Sequence, residues 1–188
     1  MHPGINGPKY KDKPAVIMAG SGDVITHQQL NELSNQGAQL FRSLGLKPGD
    51  SLAFMMENHK LFFPIAFAAY RSGLKYTAIS WRLQASEVEY IVKDCGAKVF
   101  ITSKFLEESA QSLANSLEGV HKYMLDGITD DFKSYEEEID KMPVTPIEDE
   151  CQGAAMLYSS GTTGKPKGVS REVNLSPVSY THLTLPTM

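Results

Sequence analysis

A layered α/β fold, with strands and helices alternating on a mainly parallel sheet, is what this sequence predicts. Three observations lead there. Strand-length apolar runs alternate with segments whose apolar residues recur every three or four positions. The connections between them are short and glycine-bearing. The run Ser51–Met55 is apolar after its first residue, as a strand buried on both faces must be. With 188 residues, 41% of them hydrophobic and 21% charged, the chain has globular proportions and enough apolar mass for a core.

Taken in order, Pro14–Ala19 has the residue types of a strand, Gly20–Asp23 those of a tight turn, and Val24–Ile25 those of a second short strand. Thr26 and Gln29 have capping-box spacing and open a helix. Leu30, Leu33, Leu40, Phe41 and Leu44 line one face of it, Asn, Gln and Glu the other, and Gly45 supplies the left-handed stop. Leu46–Asp50 is a turn by residue type, leading into the Ser51–Met55 strand. Asn58 is expected to cap a largely apolar helix over Leu61–Tyr70, with Pro64 tolerated near its first turn and Gly73 beyond its end. Tyr76–Ile79 returns as a strand. Ser86 and Glu89 repeat the capping-box spacing before Val88, Ile91 and Val92, with Gly96 ending that helix. Lys98–Thr102 is the next strand, and Ser103 is expected to cap a helix with Phe105, Leu106, Leu113 and Leu117 on its apolar side. A strand at Lys122–Leu125 follows. Asp130–Glu150, acid-rich and carrying Pro143 and Pro146, reads as a solvated helix and linker delivering the chain to the apolar run Ala154–Leu157.

Composition excludes several classes. A formal net charge of -4 with no basic cluster argues against a nucleic-acid partner. Cys95 and Cys151 stand alone, so two buried free thiols are expected rather than a zinc site or a disulfide framework. His27, His59 and His121 lack partners at ligand spacing, and no metal-ligating residues are assigned. The first residues lack a basic segment followed by an apolar core, which predicts a cytoplasmic protein. Leu61–Tyr70 falls short of the ~20 residues of a spanning helix, so no transmembrane segment is expected; loose membrane association stays open.

The stretch that carries chemistry is Tyr158-Ser159-Ser160-Gly161-Thr162-Thr163-Gly164-Lys165-Pro166-Lys167-Gly168-Val169. Glycines let backbone N–H groups converge on an anion, hydroxyls add donors, and Lys167 adds a full charge. It is not the common phosphate loop of NTPases, because Pro166 stands where that motif needs glycine, and the dinucleotide fingerprint fails too.

In order and spacing this stretch resembles the AMP-binding signature of the adenylate-forming superfamily, which contains acyl-CoA synthetases, luciferases and peptide-synthetase adenylation domains. The resemblance extends upstream to Leu46–Asp50 with the following strand, to Gly73–Leu83, and to Glu87 and Gly96–Lys98, with Ser80 where asparagine is frequent. It implies that residues 1–169 are part of the large N-terminal domain of an adenylate-forming enzyme. Residues 170–188, which carry no Lys, Arg, Asp or Glu after Glu172, read as an atypical tail from truncation or read-through. The implied activity is that of an acid–thiol ligase: ATP-dependent activation of a carboxylic acid, a fatty acid by overall likeness, to an acyl-adenylate and then an acyl-CoA. ATP, Mg²⁺ and coenzyme A are the implied cofactors, a small-molecule carboxylic acid the implied partner, and homo-oligomerisation of the full-length protein is left open.

By the same resemblance Ser159, Ser160, Gly161, Thr162, Thr163, Gly164 and Lys167 hold the phosphates, and Lys167, Thr162 and Thr163 act on the developing charge. Either threonine could assist the metal. Lys165 is assigned no role, Tyr158 is read as packing at the strand end, and Trp81 and Arg82 as lining a pocket or packing at a helix edge. The family's later Thr-Glu, Thr-Gly-Asp and C-terminal lysine motifs do not occur in this sequence, so a catalytically inactive nucleotide-binding or interaction module stands as the alternative.

Overall fold

Residues 2–159 and 166–169 are described by the structure, a computed structural model. Among them, six strands form one parallel sheet in the order β7-β6-β5-β3-β4-β8: β3 (Ser51–Met55), β4 (Lys75–Ile79), β5 (Ala97–Ser103), β6 (His121–Leu125), β7 (Lys133–Ser134) and β8 (Ala154–Ala155). The alternation along β3 divides the core. Leu52 and Phe54 pack into a layer with helices α2 (His27–Ser43) and α3 (Phe62–Arg71); Ala53 and Met55 pack into the opposite layer with α4 (Ala85–Asp94) and α5 (Glu107–Ala114). Every residue of β3 is buried, as its apolar run requires. The chain runs from β3 outward to β4, then crosses back to β5 on the other side of β3, which puts the switch in direction between β3 and β5.

Sequence expectation and structure agree on the succession of these elements except for β7, which lies in a stretch expected to be helix and linker, and differ at several of their ends. The helix α1 (Pro3–Lys9) was not expected, because Pro3, Gly4, Gly7 and Pro8 are poor helix formers. Pro3 sits in the first turn, where its missing N–H costs nothing, and the His2 Nδ1 accepts from the Gly4 N–H at 3.2 Å. Gly7 lies against α2 so closely that a Cβ would stand 2.9 Å from the Asn31 Cβ. Strands β1 (Pro14–Ile17) and β2 (Val24–Thr26) pair antiparallel as a separate two-stranded sheet. The Thr26–Gln29 capping box forms as expected.

Three other expected caps fall elsewhere. α3 begins at Phe62, one residue after the expected start, with Leu61 rather than Asn58 at its N-cap and the Leu61 N–H donating to His59 Nδ1 at 3.1 Å. At α4 the reciprocal residue is Glu87, whose Oε2 accepts from the Gln84 N–H at 2.9 Å; Glu89 pairs instead with Lys93 one turn on, at 2.6 Å. Ser103 does not cap α5: its hydroxyl donates to Glu57, and a 3₁₀ turn at Lys104–Leu106 precedes the helix. The acidic segment is less solvated than expected, because α6 (Tyr135–Asp140) buries Tyr135 and Ile139 in the core. Cys95 and Cys151 are buried free thiols, as expected.

Candidate functional site

The chain reaches the glycine-rich loop by crossing the turn between α3 and β4. Cys151 N–H donates to the Arg71 carbonyl at 3.2 Å, Gly153 N–H to Tyr70 at 2.6 Å, Ala154 N–H to Leu74 at 3.1 Å and Met156 N–H to Tyr76 at 2.9 Å. Arg71 anchors this crossing from beneath. It is 1% exposed, and its guanidinium donates to Glu150 Oε1 at 2.5 Å, to Ser34 Oγ at 2.8 Å and to the Asn31 carbonyl at 3.1 Å. Neither Arg71 nor Glu150 was singled out from sequence. The available signal was a charge ending an otherwise apolar helix, and such a residue ordinarily serves the helix dipole.

Because β8 runs parallel to β4, the chain leaves it towards the carboxyl end of the sheet, where α/β proteins build their ligand sites. There β9 (Leu157–Ser159) and β10 (Lys167–Val169) form an antiparallel hairpin with Ser159 opposite Lys167, Tyr158 opposite Gly168 and Leu157 opposite Val169. Of the site residues expected from sequence, the structure thus brings Ser159 and Lys167 together as the cross-strand pair at the base of the loop, both exposed. Ser160, Gly161, Thr162, Thr163 and Gly164, with Lys165, lie outside the described residues.

Tyr158 packs against the α4 side of the core, and its hydroxyl donates to Asp94 Oδ2 at 2.5 Å. Burial first, and then the Asp94 bond, push its phenol above the ordinary tyrosine range. A Cβ on Gly168 would stand 3.0 Å from the Tyr158 Cζ and 2.6 Å from the Met156 Cε, so the absence of a side chain there is what lets the ring lie across the hairpin. The result is a solvent-accessible stem with one cation beside one hydroxyl, chemistry suited to an anion.

The other residues weighed from sequence are placed elsewhere. Trp81 (39% exposed) meets Phe105 (69% exposed) edge-on at 6.1 Å, and the Arg82 guanidinium lies over Trp81 at 4.8 Å, a surface cluster rather than a pocket wall. With Nδ1 accepting from Leu61, the His59 Nε2 carries the proton and donates to Asp126 Oδ2 at 3.0 Å. Among the described residues no group of three or more His, Cys, Asp or Glu could hold a metal ion, and no helix is long and apolar enough to cross a membrane. A cleft of about 490 Å³ opens between the β1–β2 turn, α2 and α6, lined by Asp23, Glu32, Lys60, Asp126, Glu136 and Asp140 among others; no residue of the hairpin lines it.

Residues 6–175 match a family model described as AMP-binding enzyme. The chain is 30% identical over 164 residues to the fatty acid–[acyl-carrier-protein] ligase ScoC of Streptomyces coeruleorubidus, covering 83% of this chain and 29% of that protein. It is 30% identical over 155 residues to a feruloyl-CoA synthase of an Amycolatopsis species, covering 82% and 29%. It is also 30% identical over 162 residues to tyrocidine synthase 3 of Brevibacillus parabrevis, covering 86% and 2%. Among solved structures, the anthranilate CoA ligase AuaEII in complex with anthranoyl-AMP superposes with a TM-score of 0.77 at 23% identity, over 89% of this chain and 33% of that one. Mycobacterium smegmatis MbtA, an apo structure, does so at 0.76 and 25%, over 91% and 33%. The chain therefore spans about a third or less of the length of these relatives.

Proposed function

This chain belongs to the AMP-binding enzyme family, and on that premise we propose that the full-length protein uses ATP to activate a carboxylic acid, with a fatty acid as substrate and the thiol of coenzyme A as acceptor. In the first half-reaction a carboxylate oxygen bonds to the α-phosphorus while the bond to pyrophosphate breaks, leaving an acyl-adenylate. In the second, the thiol sulfur bonds to the acyl carbon and AMP departs. Residues 1–169 are then part of the ATP-handling domain of a larger enzyme, and 170–188 an atypical tail.

The observation that carries the reading is the pairing of Ser159 with Lys167 across the open end of the hairpin. Charge grows on the departing pyrophosphate, and the stem presents an ammonium and a hydroxyl from two adjacent strands to one side of it. Backbone N–H groups of Gly161–Gly164 and the hydroxyls of Ser160, Thr162 and Thr163 complete the donor set in this proposal. Mg²⁺ would supply charge neutralisation on the phosphates and reach the site bound to them, as it commonly does, with Thr162 or Thr163 as a protein ligand. The acid and acceptor are the open choices, since relatives of comparable similarity are named for fatty acid–[acyl-carrier-protein], feruloyl-CoA and tyrocidine chemistry.

The test is ATP–pyrophosphate exchange by the full-length protein against fatty, aryl and amino acids. Exchange is expected with a fatty acid, and Lys167→Ala should lower it about a hundredfold, the ~3 kcal/mol lost with one donor from a developing-charge site. Unchanged exchange in a folded Lys167→Ala protein would sink that role. Nucleotide binding with no exchange for any acid would favour the inactive nucleotide-binding module instead.

A further inference from the structure

Asp94 stands where helix electrostatics disfavour it. It is the last residue of α4, at the negative end of the aligned peptide dipoles, where a cation stabilises and an anion does the reverse. Its carboxylate is engaged far along the chain: Oδ2 accepts from the Tyr158 hydroxyl at 2.5 Å, while Oδ1 lies 3.5 Å from the Tyr90 hydroxyl.

The hairpin at the other end of that bond needs an anchor. A two-stranded ribbon is marginal in water on its own, and of its six residues only Tyr158 is even half-buried. The Tyr158 ring is bounded across the ribbon by Gly168 and at its tip by Asp94, and the next pair outward is Ser159 with Lys167. Any tilt of the ring is passed to that pair, because neighbouring residues of a strand share one backbone.

We propose that Asp94 is a positioning residue for the glycine-rich loop: acting through the Tyr158 hydroxyl, it docks the β9–β10 stem on the end of α4 and so holds Lys167 and Ser159 at the loop's base. The proposal rests on reading that loop as the ATP-phosphate site. It accounts for a carboxylate kept at the wrong end of a helix, and it links the α4 segment to the loop motif, two stretches well separated in sequence.

The experiment compares Asp94→Ala, Asp94→Asn, Tyr158→Phe and the Asp94→Ala/Tyr158→Phe double variant of the full-length protein. Asparagine keeps an oxygen acceptor where aspartate had one. Expected are a roughly tenfold rise in KM for ATP in pyrophosphate exchange for Asp94→Ala and for Tyr158→Phe, the size of one hydrogen bond to a charged acceptor. KM for the acid should not move, Asp94→Asn should restore most of the loss, and the double variant should be no worse than either single. Tm of Asp94→Ala should stay level or rise, since a misplaced helix charge is gone. Additive losses, or parallel loss of acid and ATP affinity, overturn the proposal. Hydrogen exchange at the amides of 157–159 and 167–169 reads the docking without activity: faster in Asp94→Ala and Tyr158→Phe, unchanged in Asp94→Asn. If none of the acids supports pyrophosphate exchange by the wild-type protein, the functional reading fails alone, and unaltered hairpin protection in Asp94→Ala overturns the positioning role separately.

Discussion

A Cβ added to Gly153 would run into the Leu74 carbonyl oxygen and stand 2.9 Å from the Leu74 nitrogen and 3.0 Å from the Ala69 oxygen, all of them backbone atoms. No side chain can rotate away to make room, so Gly153→Ala should cost about 3 kcal/mol, visible as a lowered urea midpoint; an unchanged midpoint would contradict the close approach. Beneath this crossing Glu150 offsets the buried Arg71 charge. Replacing it by glutamine keeps its shape but not its charge, with an expected loss of about 3 kcal/mol by the same measurement. His2 adds a pH dependence. Burial, then the neighbouring Arg71 charge, lower its pKa from 6.5 to about 4. Since the folded value lies below the unfolded one, the unfolded state takes up the proton first as pH falls. The docking of α1 is therefore complete above about pH 6.5 and weakens towards pH 4, which hydrogen exchange at α1 amides, corrected for intrinsic rates, will register as falling protection.

At the scale of elements, the polar face of α2 does more than meet water. The Asn35 amide donates to the Val144 carbonyl at 2.6 Å, Gln36 to Ile139 at 3.1 Å and Met142 at 3.3 Å, and Gln39 to Thr145 at 3.0 Å and Pro146 at 3.2 Å. Arg42 closes the series on Asp149 at 3.0 Å. From Met142 on the segment is irregular and its carbonyls have no ladder to accept from, and the helix supplies donors along one side. Each amide is worth about 1 kcal/mol, so Gln36→Leu with Gln39→Leu should loosen the strap. Limited trypsin digestion should then cut faster after the exposed Lys141; an unaltered rate would show that the ladder does not hold it.

For the whole molecule, covering helices leave little of the central sheet bare: residues of β3, β5 and β6 are buried on both faces. Exposed large apolar residues are spread over the surface of the described residues, from Ile17 and Val24 to Phe63 and Phe105, and two of them meet on the hairpin, where Leu157 (64% exposed) faces Val169 (60%) across the strands. An apolar cross-strand pair beside open ribbon edges is a surface for association. The chain is expected to elute at a concentration-dependent size in gel filtration, and Leu157→Thr with Val169→Thr to reduce that dependence; a sharp concentration-independent monomer peak for the parent chain would contradict this.

The order of strands and helices, the Thr26 cap and the character of the loop motif were legible in the sequence, because each depends on residues a few positions apart: the period of apolar side chains, a hydroxyl three residues before a glutamine, glycines among threonines. Tertiary structure decided the rest. α1 exists because Gly7 fits against Asn31, not because its residues favour a helix. Arg71 meets Glu150, Asn35 meets Val144 and Asp94 meets Tyr158 only after the sheet has set which distant segments are neighbours. A pattern read along the chain says that a polar residue lies off the apolar face. What it bonds there depends on the partners the fold brings to it.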